Sequence, residues 1–290
     1  MESVKQVLHV YQSASIHWVG DGFHVRNLFP SNDLGQQISP FLLLDYAGPT
    51  DFPPTDKPHG VGEHPHRGFE TVTIVYQGEL EHRDSAGNHG IIGPGDVQWM
   101  TAASGVVHEE MHEKEFAKRG GTVEMVQLWV NLPKAFKMSP PRYQTLLKEQ
   151  IPVVDLPEDR GYVRVIAGDF HGIKGPAKTF TPINLYDLRL KAGHQAEFTP
   201  PAGYDAGIFL LEGRIVLNGS HSVKEAELAL FDAHGEQISI EAKEDATLLV
   251  LNGEPIHEPV ARNGPFVMNT QEELVQAVND YRMGRMGHLH

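Results

Sequence analysis

Two short segments of this sequence hold side chains able to bind a metal ion. They are Glu63-His64-Pro-His66-Arg-Gly68-Phe-Glu70 and Gly105-Val-Val-His108-Glu-Glu110-Met111-His112. A β-strand turns residues i and i+2 to the same face, so His64 and His66 can reach one ion from one wall. The same parity puts His108 and Glu110 on one face and Glu109 on the other. Three imidazoles and one carboxylate suit Fe, Mn, Co, Ni, Cu or Zn, and an octahedral ion would keep two positions open for further ligands. Glu70 shares the parity of His64 and His66 and competes with Glu110 for the carboxylate place. His112 is an outside candidate, because its strand is ending there. In a chain with 17 histidines one H-x-H is weak on its own, and each cluster taken singly could be ordinary loop histidines. Two clusters with matching parity argue for a metal.

The elements that must position these residues are strands. Thr71-Val-Thr-Ile-Val-Tyr76 is β-branched and aromatic and runs into a Gln77-Gly78-Glu79 turn. Similar runs occur at 97–100, 123–130, 162–166, 184–190, 206–211, 214–217 and 247–251, separated by Gly- and Pro-containing turns. Many short strands at close intervals indicate antiparallel sandwiches or barrels. Closing the loop between the two histidine clusters sets their strands opposite each other inside a barrel. Val72, Ile74, Met125 and Trp129 are candidates for an apolar pocket wall or for plain core. Near the C-terminus, Thr270-Gln-Glu-Glu273 has the spacing of a capping box, and Leu274, Val275, Val278 and Tyr281 form a stripe expected to dock on the protein's own sheet.

The chain has 290 residues, enough for two domains, and its Pro-rich stretch at 132–156 is the natural boundary. Each half carries a strand ending in a glycine turn, Gln77-Gly78-Glu79 and Glu212-Gly213-Arg214, which is consistent with a duplicated barrel. The second half has no histidine pair: His194, His221, His234 and His257 stand singly, so that half reads as structural. With 24 basic against 38 acidic residues the net charge is −14, which disfavours direct nucleic-acid binding. There is no cysteine, so thiolate sites and disulfides are excluded. No secretory signal or membrane-spanning run is visible, and the expected location is cytoplasmic.

The motifs resemble the pirin family of the cupin superfamily. The resemblance rests on 64–72 (His-Pro-His-Arg-Gly-Phe-Glu-Thr-Val), 93–102 (Gly-Pro-Gly-Asp-Val-Gln-Trp-Met-Thr-Ala) and 105–111 (Gly-Val-Val-His-Glu-Glu-Met). It extends through Gln127-Leu-Trp-Val-Asn-Leu132, Gly253-Glu-Pro-Ile-His-Glu-Pro259 and 263–270, nearly the whole chain. It implies an all-β fold of two antiparallel cupin barrels, a bicupin, with a short C-terminal helix. The implied division is 1–138, a metal-binding N-terminal barrel, and 139–290, a metal-free C-terminal barrel ending in the helix. The implied ligands are His64, His66, His108 and Glu110, with Glu70 outside the set. The resemblance further implies a monomer holding one divalent transition metal, iron in the family's associations, and quercetin 2,3-dioxygenase activity on a flavonol or related enol with O2. In that chemistry Glu110 is the catalytic base, with Glu70 and Glu109 as weaker candidates. The alternative implied by the same resemblance is a metal-binding regulatory protein acting through a protein partner, a transcriptional or metabolic-enzyme modulator.

Overall fold

The computed structural model describes residues 4–13, 15–29 and 38–289. Each β-rich run of the sequence becomes a strand: 71–76 lies inside Phe69–Gln77, 123–130 inside Gly121–Asn131, and 247–251 inside Ala246–Gly253. Contacts group the chain into two units. One comprises Ser15–Asn27, Leu42–Lys148 and Ile256–His290; the other comprises Met1–Ala14, Leu28–Phe41 and Glu149–Pro255.

The two units are built alike, each from a seven-stranded and a four-stranded sheet. In the unit holding the histidine clusters the larger sheet runs Arg142–Leu146, Val97–Thr101, Phe69–Gln77, Gly121–Asn131, Phe41–Phe52, Phe23–Asn27, Ile16–Val19. Its smaller sheet runs Gly60–His66, Val106–His112, Leu80–Asp84, His89–Ile92. The clusters therefore lie on directly hydrogen-bonded antiparallel neighbours, closer than strands that merely face each other. In the other unit the smaller sheet runs Gln195–Phe198, Ile238–Ala242, Arg214–Leu217, His221–Lys224. Its inward side chains are Ala196, Phe198, Ile215, Leu217, Ile238 and Ile240, all buried in one apolar cluster. Fully burying each large apolar side chain is worth about 1.5–3 kcal/mol. The same architecture thus carries an apolar core in one unit and a buried polar set in the other.

The chain-order division at 138/139 differs from this grouping in two ways. Residues 132–156 contain the strand Arg142–Leu146, which pairs with Val97–Thr101 and stays with the first barrel. The two ends also cross over. Val7–Gln12 pairs with Glu227–Phe231, while the helix Gln271–Arg282 packs with Phe266, Met268 and Val107. Non-local strand pairing decides both, and no local pattern announces it.

Thr270 caps that helix, with its hydroxyl on Glu273 N and the Glu273 carboxylate returning to the cap, as a capping box should. The buried face is Leu274 and Ala277 with Val278 beside them; Val275 and Tyr281 of the expected stripe are exposed. Among the described residues no helix is long and apolar enough to cross a membrane.

Candidate metal centre

Across the Gly60–His66/Val106–His112 ladder, His64 stands opposite His108 and His66 opposite Val106. The imidazole centroids of His64, His66 and His108 lie 4.2 to 4.9 Å apart. One nitrogen from each ring falls within 4.8 Å of the other two. His66 is 5% exposed and His108 fully buried.

Glycines let the ligand-bearing segments approach. Gly68 has φ +88° and a Cβ there would sit 1.9 Å from the Val267 carbonyl; Gly105 has φ +127° and would strike Met286. Only glycine accepts both the left-handed backbone and the contact.

The protonation states favour metal binding. Burial, then the neighbouring His64, pushes His66 down to about 3, and burial first holds His108 well below the usual imidazole value. Both rings are therefore neutral at physiological pH. His64 Nδ1 donates to Gly62 O at 2.8 Å and His66 Nδ1 to Pro265 O at 3.3 Å, which leaves the Nε2 of the neutral His66 ring as a lone pair and turns the His64 Nε2 away from its own backbone partner. His108 Nε2 is buried with no hydrogen-bond partner. An unpartnered buried nitrogen costs about 1–3 kcal/mol, and a metal ion on it removes that cost. The donor set fits a divalent transition metal.

Glu110 falls in a second set, with His82 and His108. A register shift between His108 and Glu110 sets Glu110 opposite Val61. Its Oε1 accepts from Thr73 Oγ1 and Gln98 Nε2, both at 3.2 Å, and its Oε2 from Gln127 Nε2 at 2.9 Å. Glu70 belongs to neither set: Thr101 Oγ1 donates to it at 2.6 Å, Arg142 lies 3.7 Å away, and burial raises its carboxyl to about 7. Glu109 points outward to Arg83 at 2.7 Å. His112 bonds Gly22 O at 3.0 Å amid Phe23, Phe52 and Phe116.

Residues 22–130 match the pirin family, and residues 185–287 match the pirin C-terminal cupin domain. A Pseudomonas aeruginosa protein, "Putative quercetin 2,3-dioxygenase PA2418", is 56% identical over 99% of this chain and 100% of its own length. The chain belongs to the pirin family. A pirin-like protein of Solanum lycopersicum is 40% identical over 92% of this chain and 88% of its own. Among solved structures, a quercetin 2,3-dioxygenase from Acinetobacter baumannii is 49% identical, covers 99% of this chain and 100% of its own, and superposes with a TM-score of 0.96.

In this pirin the sequence reading missed His82, Gln98, Gln127 and Thr73, which surround Glu110 and His108. His82-Arg-Asp84 offered a usable signal, an i, i+2 pair on one strand face, but nothing local tied it to the histidine clusters. Trp129 is the one pocket candidate at the centre: its ring lies 5.3 Å from that of His66, and Arg262 covers it at 4.6 Å. Val72 and Ile74 are fully buried, and Met125 sits in an apolar cluster.

Proposed function

We propose that this pirin is a metal-dependent dioxygenase that cleaves a flavonol such as quercetin with O2. His64, His66, His108 and Glu110 are the proposed ligands of one divalent ion, iron in the first instance. When bound, such an ion supplies Lewis acidity toward an enol oxygen and access to redox chemistry with O2. The protein's own residues account for the rest. Glu110 takes the enol proton, and its three side-chain donors hold it in place to do so. Trp129 presents an apolar plane beside His66, and Arg262 brings positive charge to that plane, a combination that suits a flat, acidic substrate. The buried Phe69 ring, packed on both His66 and Trp129, helps keep water from the centre.

One observation carries this reading: three imidazoles converge, two of them held neutral by burial, and one buried nitrogen, His108 Nε2, is left without a partner. The naming of the 56% identical relative points to the same chemistry. The test is oxygen uptake and carbon monoxide release with quercetin, alongside elemental analysis. His66→Ala is expected to lose both metal and turnover. Turnover that survives in metal-free His66→Ala protein would overturn the proposal.

A further inference from the structure

Behind His108 runs a chain of buried polar contacts that the metal site does not itself require. His82 is 1% exposed and stacks on Tyr143 with centroids 4.7 Å apart and planes at 19°, which holds the plane of its ring. Its Nε2 lies 3.1 Å from Asp84 Oδ2. Asp84 also accepts from Ala86 N at 2.9 Å, from Asn88 N at 3.0 Å and, at both its oxygens, from Asn88 Nδ2. A carboxylate so loaded with donors is an acceptor, so His82 carries a proton on Nε2, facing Asp84.

Gln98 settles the other nitrogen of the ring. Its Nε2 must face the Glu110 carboxylate, 3.2 Å away, because a carboxylate only accepts; the Gln98 carbonyl then takes the Tyr143 hydroxyl at 3.0 Å. The same Nε2 is 3.4 Å from His82 Nδ1, which must accept. His108 Nδ1 also lies 3.4 Å from His82 Nδ1. Two lone pairs facing each other would repel, so His108 Nδ1 is the donor and its Nε2 is left unprotonated. That Nε2 is the buried atom with no partner.

We propose that Asp84 and His82 are positioning residues that fix the tautomer of His108, keeping Nε2 free to bind the metal. The inference rests on the metal-centre reading above and not on the oxygenase reaction. Outer partners of this kind typically contribute ten- to a hundredfold in metal affinity.

The primary test is long-range 1H–15N NMR of the metal-free, 15N-histidine-labelled protein, which needs no variant. His108 is expected as the Nδ1–H tautomer and His82 as Nε2–H. In Asp84→Asn, whose amide can donate to His82 Nε2, the His108 tautomer is expected to shift. The Co(II) dissociation constant should rise about ten- to a hundredfold, with an altered Co(II) electronic spectrum. Three results overturn the proposal: a wild-type His108 protonated on Nε2, Co(II) affinity unchanged in Asp84→Asn, or two Co(II) ions per chain, which would place a metal in the His82–His108–Glu110 set. Failure to turn over quercetin, with the tautomers as stated, counts against the oxygenase reading alone.

Discussion

Replacing Asp280 with alanine tests how the C-terminal helix supports the barrel that carries the histidine clusters. Its Oδ2 accepts from Arg67 Nη1 at 2.9 Å, and its Oδ1 from Gln276 Nε2 at 2.7 Å and Arg285 Nη1 at 2.8 Å. The Arg67 side chain is 5% exposed, and its Nε donates to Ser104 O at 2.7 Å. This one guanidinium therefore spans from the neighbour of His66 to the residue before Gly105. Asp280→Ala strands it without a counter-charge, which costs about 3–5 kcal/mol for a buried pair. Arg285 is 58% exposed, and Arg285→Ala should change stability by no more than about 0.5 kcal/mol. At roughly 2–4 °C per kcal/mol, the thermal midpoint falls by about 6–20 °C in the first variant and by at most about 2 °C in the second. The double variant Arg67→Met/Asp280→Leu should recover much of the loss, because no charge is left stranded.

The pH dependence sharpens the test. Burial pushes the Asp280 carboxyl up, but the hydrogen bonds from Arg67, Arg285 and Gln276 outweigh it and hold the group below its ordinary 3.8. A depressed carboxylate contributes stability above its unfolded value, and that contribution is lost as pH falls through the folded value. Wild type and Asp280→Ala should therefore converge at acid pH and separate above 3.8. An Asp280→Ala loss no larger than that of Arg285→Ala, at neutral pH, would refute the reasoning.

Two further outcomes follow from buried titratable groups. Glu70, raised by burial from 4.5 to about 7, keeps its proton in the folded state after the unfolded chain has lost it. Wild-type stability should fall by roughly 2–3 kcal/mol as pH rises between those values, and Glu70→Gln should flatten that slope; parallel melting curves for the two proteins would contradict it. Lys137 is buried and spends all three ammonium donors, on Gly68 O at 2.7 Å, Asn131 Oδ1 at 2.6 Å and Val267 O at 3.0 Å. Lys137→Met matches the length but leaves those acceptors empty, so a loss of about 2–5 kcal/mol is expected in urea unfolding; an unchanged midpoint would contradict it.

Much of this centre was legible because strand parity is a local property. His64 and His66 share a face by spacing alone, and so did the β-branched runs that became strands. What was hidden depends on pairing across the chain. Parity placed Glu110 beside His108 but could not show the register shift that sets it opposite Val61. His82 reaches the site only because Leu80–Asp84 pairs with Val106–His112, and in a chain with 17 histidines its own spacing to Asp84 carried little weight. The strand Arg142–Leu146 was obscured by the prolines around it, since its order comes from its partner, Val97–Thr101. On the helix, periodicity admitted Val275 and Tyr281 to the stripe, whereas packing selected Ala277 and the ion-paired Asp280.

The crossing-over of the C-terminal segment also sets a timetable for synthesis. A ribosome delivers His64, His66, His82, His108 and Glu110 early, yet the carbonyl that orients His66 belongs to Pro265 and the carboxylate that anchors Arg67 to Asp280. Both emerge only after the whole of Glu149–Pro255, the bulk of the other unit, has been made. The barrel that carries the histidine clusters is the last to be completed. A chain stopped at Pro255 would hold every proposed ligand but lack the Pro265 carbonyl and the Asp280 carboxylate, so the proposed site is complete only once the C-terminal segment has been made.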